Sequence, residues 1–205
     1  MQMLVRLIVA VIFGANFGAL SALWLGGMIS GGPTIGNAID VDGWRSDWSI
    51  GSESADPYVR ARVARNGLMG LRKEEAVYFL KTEDNAGEPL TEACTYRVSG
   101  GLMPAAWWSI TLYDPDNRLP MNEDGHLSFD QTQAEQIGEG DASAWAFLVS
   151  ADAPDDGSAW VSSKAGDTFD LTLRLYQPEA RLLEDPTISL PAPRIERLSC
   201  DTGAS

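Results

Sequence analysis

The sequence predicts a mainly β protein: an antiparallel β-sandwich or jelly-roll-like domain with one early helix, preceded by a single N-terminal transmembrane helix. Three observations predict this. Residues 2–29 are almost wholly apolar, one amphipathic stretch follows, and the remainder alternates in short segments separated by turn residues. We expect a transmembrane anchor at residues 1–30, a linker or membrane-proximal segment at 31–55 and a β-rich domain at 56–205.

The anchor is expected to cross the membrane through residues 4–29. About 20 apolar residues in a helix span the ~30 Å hydrocarbon core of a bilayer, and Arg6 is the only charged side chain before Met28. Ala19-Leu20-Ser21 weakly resembles a signal-peptide cleavage site, but the apolar run is longer than the ~7–15 residues of a signal-peptide core. The pattern favours an uncleaved anchor over a signal peptide.

Basic residues indicate which way the anchor points. Arg6 lies on the short side, whereas the first basic residue beyond the span is Arg45, which follows Asp40 and Asp42. Because positive charge is retained in the cytoplasm, we expect a cytoplasmic N-terminus and a large domain outside.

Small residues recur every fourth position of the span, at Gly14, Gly18, Ala22 and Gly26. This spacing places them on one face of a helix, where they would let a second transmembrane helix approach closely. That helix would belong to a membrane-protein partner or to a second copy of the chain. The alternative interpretation is that glycine is simply common in membrane helices.

Charge and cysteine content narrow the classes of ligand. The net charge of −14 argues against nucleic acid as a partner. Cys94 and Cys200 predict a disulfide, with two buried thiols as the alternative. A metal site would need more ligands than these two cysteines and the distant His126, so we expect neither a metal nor another cofactor.

Local patterns place the elements of the soluble part. Asp56-Pro57 is typical of a helix N-cap followed by proline in the first turn, and predicts a helix over about 57–70. Strands are predicted where apolar and polar residues alternate or β-forming residues cluster: at 76–80, 95–98, 106–113, 144–149 and 169–176. Trp44, Trp48 and Ile50 are too apolar for a simple tether, and either lie at the membrane interface or cover the domain.

Several segments, in this order, resemble one bacterial family: DPYVRAR (56–62), GL (67–68), EEAVY (74–78), GEPL (87–90), PAAWWSITLYD (104–114) and LRLY (173–176). They are similar to the short, membrane-anchored proteobacterial members of the domain of unknown function 1214 family. The resemblance implies a mainly β fold and no agreed activity. In a bacterium, the anchor and its orientation predict location at the inner membrane with the domain in the periplasm. The resemblance also implies one cysteine before the first core strand and another near the C-terminus. Relatives tend to have Trp-Leu-Pro where this chain has Trp160-Val161-Ser162.

Candidate chemistry is sparse, and we predict no catalytic residue. His126 is the only histidine, and its neighbours predict a surface turn leading into a strand. A Ser-His-Asp arrangement would have to assemble in space, since the Gly-x-Ser-x-Gly motif is missing. The acidic and amide side chains that could bind calcium lack the EF-hand order and fit ordinary turns: Asp114, Asp116, Asn117, Asn122, Glu123 and Asp124.

Tryptophans are the remaining candidates for a ligand or partner surface: Trp107, Trp108 and Trp160. Neighbouring residues on a strand face opposite sides, so Trp107 and Trp108 cannot both lie inside one sandwich core.

Three hypotheses for the function follow. The first is a non-enzymatic accessory or interaction subunit of an inner-membrane or envelope complex. The second is a binding module for a carbohydrate, lipid or other small ligand through aromatic side chains. The third is an unrecognised hydrolase that uses His126.

Overall fold

The computed structural model describes residues 2–29, 38–52, 55–65, 71–138 and 140–201. The chain divides into two compact units, one formed by residues 1–38 and 48–70 and the other by residues 39–47 and 71–205. The described helices are α1 (Gln2–Leu25), α2 (Pro57–Arg65), α3 (Gln131–Ile137), α4 (Ala180–Glu184) and α5 (Pro186–Ser189). The described strands are β1 (Ala38–Val41), β2 (Trp44–Asp47), β3 (Ala76–Lys81), β4 (Cys94–Gly101), β5 (Ala105–Tyr113), β6 (Ser128–Asp130), β7 (Ala144–Ser150), β8 (Trp160–Ser162), β9 (Asp170–Pro178) and β10 (Arg194–Cys200).

The first unit is built on the long helix α1. Its 24 residues include one charged side chain, Arg6, and none of the 24 is buried. An 18-residue stretch of the helix has a mean hydropathy of 2.1, so the helix is long and apolar enough to cross a membrane, a property that a signal sequence near an N-terminus shares. The predicted apolar helix is therefore present, and its insertion in a membrane stays a prediction.

Helix α2 of the same unit begins where the sequence predicts. The Tyr58 backbone N–H donates to the Asp56 carboxylate at 2.8 Å, and Pro57 occupies the first helical position. The described helix ends at Arg65, and the predicted continuation to residue 70 lies outside the described residues. Val59 is the buried residue of this helix.

The second unit contains two sheets. The six-stranded sheet has the order β1-β2-β3-β9-β5-β6, and the four-stranded sheet has the order β10-β4-β7-β8. The central pairs β3–β9 and β5–β9 are antiparallel, whereas β7 and β8 run parallel. The fold is mainly β, as predicted, and all five predicted strands are present as β3, β4, β5, β7 and β9.

Aromatic side chains fill the space where the two sheets meet. The rings of Trp108 on β5 and Trp145 on β7 have centroids 4.6 Å apart, and those of Phe129 on β6 and Phe147 on β7 are 4.5 Å apart. All four side chains are buried. Gly100 on β4 is required here, because a Cβ atom at this position would lie 2.2 Å from the Trp145 ring. The contacts confirm a sandwich-like core.

The β1–β2 hairpin places part of the predicted linker or membrane-proximal segment, 31–55, on the β unit, in agreement with the alternative that Trp44 covers the domain. Trp44 has no exposed surface, and its indole N–H donates to the Pro193 carbonyl at 2.8 Å. Residues 39–47 therefore belong to the β unit, because burying a large indole favours docking of the hairpin over a solvated tether.

Several short elements were not predicted. Helix α3 has a capping box between Asp130 and Gln133, and α5 is preceded by Asp185 as its N-cap with Pro186 in its first turn. Strand β10 escaped prediction because it is a largely exposed, polar strand at the edge of its sheet.

Candidate functional site

The four small residues, three in α1 and Gly26 directly after its end, do not share one environment. A Cβ atom added at Gly14 or Gly18 would meet nothing within 4 Å, so this part of the face is open. At Gly26 the added atom would lie 4.0 Å from Ala61 of α2, and Gly26 is buried. Ala22, between them, is half-buried. Gly26 therefore allows α2 of the same chain to pack closely. On this face, only Gly14 and Gly18 leave space for a helix from another chain.

Cys94 and Cys200 form the predicted disulfide. They are directly opposite each other where β4 pairs with β10, with Cα atoms 3.9 Å apart. The bond closes a loop with a sequence separation of 106 residues. On the chain-entropy model, a disulfide that closes a loop of this length contributes about 4–5 kcal/mol to stability by restricting the unfolded chain. The disulfide therefore has a structural role, since it ties the last strand to the sheet.

Trp107 and Trp108 face opposite sides of β5, as their adjacency requires. Trp108 is 1% exposed and belongs to the core, so it is unavailable to a ligand or partner. Trp107 is 36% exposed, and its ring centroid lies 5.5 Å from that of Tyr176. Trp160 is half-buried, and its indole N–H donates to the Ser150 carbonyl. Of the three tryptophans, Trp107 is the one that presents a ring to the outer face of the sheet.

His126 is exposed, as predicted, and its ring centroid lies 5.2 Å from that of Trp160. A serine and an aspartate are close by in the fold, but the Ser162 hydroxyl donates directly to the Asp124 carboxylate at 2.7 Å. In a catalytic triad the histidine would accept that proton. Ser162 also has no exposed surface. This geometry does not favour a hydrolase that uses His126.

The acidic and amide residues between β5 and β6 either stabilise their own turn, as Asp114 does, or bind the segment at 162–164, as Asn122 and Asp124 do. The Asp114 carboxylate accepts the backbone N–H groups of Asp116 and Arg118, and the Asn122 amide donates to the Lys164 carbonyl at 2.7 Å. Among the described residues, no group of three or more His, Cys, Asp and Glu side chains could hold a metal ion.

The outer face of the six-stranded sheet carries a polar network that sequence reasoning missed. Arg174 on β9 donates to the Thr111 hydroxyl at 2.9 Å and to the Tyr113 hydroxyl, both on the neighbouring strand β5. Its guanidinium carbon lies 5.3 Å from the centre of the Tyr113 ring. Thr111 is only 7% exposed. We call Arg174, Thr111, Tyr113, Thr172 and Asp170 the outer-face cluster.

Asp170 supplies the carboxyl group of this cluster. Its Oδ1 atom accepts a hydrogen bond from the Thr172 hydroxyl at 3.0 Å. Burial raises its pKa to about 6, assisted by the charge of Asp114; the Thr172 hydrogen bond and Arg174 oppose the rise. Tyr78 on β3 also titrates abnormally, since burial and the neighbouring Tyr176 raise its pKa. Shifted pKa values on one face are typical of functional sites, although structural networks produce them too.

Two cavities lie near the end of β3, and one of them reaches the outer-face cluster through Asp170. One, of about 500 Å³, is lined by Asp170, Leu80, Leu90 and Phe169 among others. The other, of about 620 Å³, is lined by Arg45, Lys81, Glu83 and Arg194 among others. Neither is lined by the three predicted tryptophans, so an aromatic surface for a ligand would be the open sheet face.

Lys81 is the most buried cation of the larger cavity. It is 4% exposed, and its ammonium group donates to the Asp42 carbonyl at 2.7 Å. Burial lowers its pKa, and the nearby carboxylates of Asp42, Asp40, Asp84 and Glu83 oppose the shift. The backbone of Gly43, with a φ of +83°, lets the hairpin pass close to the lysine stem.

One signal could have pointed to the outer-face cluster. Asp170, Thr172 and Arg174 alternate with three leucines along β9, which marks a polar face opposite the core. Their contacts could not be predicted, because Arg174 is 63 residues from Thr111 and the order of strands in the sheet brings them together.

Comparison with known proteins identifies a family and a fold. The model of the family described as "Protein of unknown function (DUF1214)" matches residues 75–180. The crystal structure of the VPA0106 protein from Vibrio parahaemolyticus is similar with a TM-score of 0.53 and 22% identity; the match covers 71% of this chain and 36% of that one. An uncharacterised protein from Burkholderia cenocepacia matches with a TM-score of 0.37 and 21% identity, covering 64% of this chain and 31% of that one.

The chain spans about a third of the length of these two proteins. The search of curated proteins finds no match. Because the family model covers more than half of the residues, this chain belongs to the DUF1214 family, whose function is unknown.

Proposed function

We propose that this chain is a single-pass inner-membrane protein whose β domain lies in the periplasm and acts by binding, as an accessory or interaction subunit of an envelope complex. The observation that carries the proposal is α1. This helix is 24 residues long and apolar on all sides, and none of its side chains is buried by the rest of the chain. Such a helix is stable in a bilayer, whereas exposing its apolar side chains to water is unfavourable.

Two further features support this arrangement. The end of α1 is packed against α2, which lies beyond any signal-peptide cleavage point, and this favours retention of the helix. The disulfide between Cys94 and Cys200 favours an oxidising compartment for the β domain, since cytosolic thiols are kept reduced.

Extraction and protease treatment would test the anchor and its orientation. We expect the full chain to remain in the membrane fraction after alkaline carbonate, and its β domain to be digested in spheroplasts without lysis. Release by carbonate would contradict the anchor, and protection of the domain until lysis would contradict the orientation.

Association through the open part of the α1 face is the finer proposal. Gly18→Leu would fill this face and is expected to lower cross-linking to a membrane partner or a second copy at least several-fold. Ala19→Leu is the matched control, since it adds the same side chain about 100° around the helix. Equal cross-linking of both variants and the wild type would remove the helix face from the interaction.

The outer sheet face supports a second candidate, a module that binds a carbohydrate or lipid. Trp107 is exposed beside Tyr176, and an aromatic pair of this kind can pack on the apolar face of a sugar or on an acyl chain. Screening the detergent-solubilised chain against a glycan array would test it. Binding that Trp107→Ala abolishes and the exposed-surface control Leu119→Ala retains is the expected result, while binding by both variants would exclude this face.

A further inference from the structure

Helix α2 is a basic segment in an acidic protein. Its sequence, PYVRARVAR, contains three arginines and no acidic residue, whereas the whole chain has a net charge of −14. Arg62 and Arg65 lie in its last turn. A short helix of this charge attracts anions. The position of α2 in the fold determines which anions can reach it.

The packing of the first unit places α2 at the C-terminal end of α1. The Arg62 Nε–H donates to the Leu25 carbonyl, the last residue of α1, at 2.9 Å. The Arg62 side chain lies over Gly27, whose φ of +74° and missing side chain permit this approach. If α1 crosses the bilayer, as proposed above, its end is the depth at which hydrocarbon gives way to phosphate headgroups.

Arg62 also has a donor that the described residues leave unpaired. Its Nη2 atom is buried and has no hydrogen-bond partner among the residues that the structure describes. Leaving a buried guanidinium N–H group without an acceptor is unfavourable. Phosphate oxygens match guanidinium geometry well and form strong, charge-assisted hydrogen bonds.

We propose that α2 lies at the membrane surface and binds the phosphate groups of anionic phospholipids through Arg62, with Arg65 adding electrostatic attraction. The occupant is the lipid headgroup, because α2 is packed on the end of the helix that enters the bilayer. Each arginine near an anionic surface strengthens association about fivefold. The inference rests on the proposed membrane anchor.

Hydrogen exchange of the full chain in lipid nanodiscs would test this inference. The α2 amides should exchange at least about fivefold more slowly in nanodiscs of phosphatidylcholine mixed with phosphatidylglycerol than in phosphatidylcholine alone. Arg62→Gln and Arg65→Gln should each reduce this difference about fivefold, and Arg62→Lys should retain part of it. Arg97→Gln, an exposed position on β4, is the matched control and should change nothing.

Further outcomes separate the alternatives. High salt should abolish the difference, since it screens attraction between exposed charges. Equal exchange in the two kinds of nanodisc would overturn the inference while leaving the anchor in place, and would indicate that Arg62 is satisfied by protein. Equal slowing by inorganic phosphate in phosphatidylcholine nanodiscs would assign the site to a soluble anion instead. Failure of the chain to remain in nanodiscs would overturn both proposals. Should Arg62→Gln melt α2, Arg65→Gln at the exposed helix end still gives the decisive comparison.

Discussion

Strands β5 and β9 bury residues on both of their faces, but for different physical reasons. The inner face presents Trp108, Ile110 and Leu112 of β5 to the aromatic core between the sheets. The outer face of the same strands carries four polar residues that are each less than 10% exposed: Ser109, Thr111, Asp170 and Thr172. Trp107 on that face is 36% exposed. One face is covered by apolar packing, whereas the other is covered by polar and aromatic side chains of the same sheet.

The two faces stabilise the fold through interactions that differ in how strictly they fix geometry. Apolar burial is not directional and tolerates many arrangements of the same volume. Buried polar groups must be paired, so Arg174, Thr111 and Tyr113 require one particular geometry. The inner face therefore stabilises the fold through apolar burial, and the outer face through specific polar pairs.

The largest effect on stability is expected from replacing the two adjacent tryptophans, which lie on opposite faces of β5. Trp108→Ala should lower the free energy of unfolding by about 3–5 kcal/mol, since it leaves a cavity in the core. Trp107→Ala, one residue along on the other face, should cost less than about 1 kcal/mol. Urea denaturation of the detergent-solubilised chain, followed by circular dichroism, measures both. Equal losses would contradict the assignment of the two faces.

Asp170 gives the outer face a pH dependence. Its pKa is about 6 in the folded chain, above the ordinary value of 3.8, chiefly because of burial. The folded state thus holds the proton more tightly, so this contribution is fully present below pH 3.8 and is lost as the pH rises through 6.

Comparison with Asp170→Asn isolates that contribution, together with its coupling to Asp114, from the titration of the other carboxylates. From below pH 3.8 to above pH 6, wild type should lose up to about 3 kcal/mol relative to the variant. Free energies of unfolding, measured for the wild type and for Asp170→Asn across this pH range, give the difference. Parallel pH profiles would show that Asp170 ionises as a solvated carboxyl group.

Arg174→Met should have the smallest of the three effects. It removes the donor to the Thr111 and Tyr113 hydroxyls but keeps an apolar stem, so a loss of about 1–3 kcal/mol is expected. Arg97→Met, at an exposed position of β4, should stay within about 0.5 kcal/mol of wild type. A loss at Arg174 no larger than at Arg97 would mean that the network contributes nothing measurable.

Sequence reasoning succeeded where the structure is local. The alternation of residues 106–113 and 169–176 predicted β5 and β9, and Asp56-Pro57 predicted the start of α2. It failed for α5, although Asp185-Pro186 carries the same signal, because four residues leave no helical period to recognise. It failed for β1 and β2 because short strands are stabilised by tertiary contacts such as that of Trp44, and not by their own pattern.

By itself the sequence determined the apolar helix, the mainly β class, the family and the favoured pairing of Cys94 with Cys200, since each depends on residue type and spacing along the chain. Tertiary structure alone decided which tryptophan lies outside, which partners surround Arg174, and that Arg62 caps the end of α1. These contacts join residues 37 and 63 positions apart. Periodicity assigns residues to a face, but only strand order and helix packing determine what that face meets.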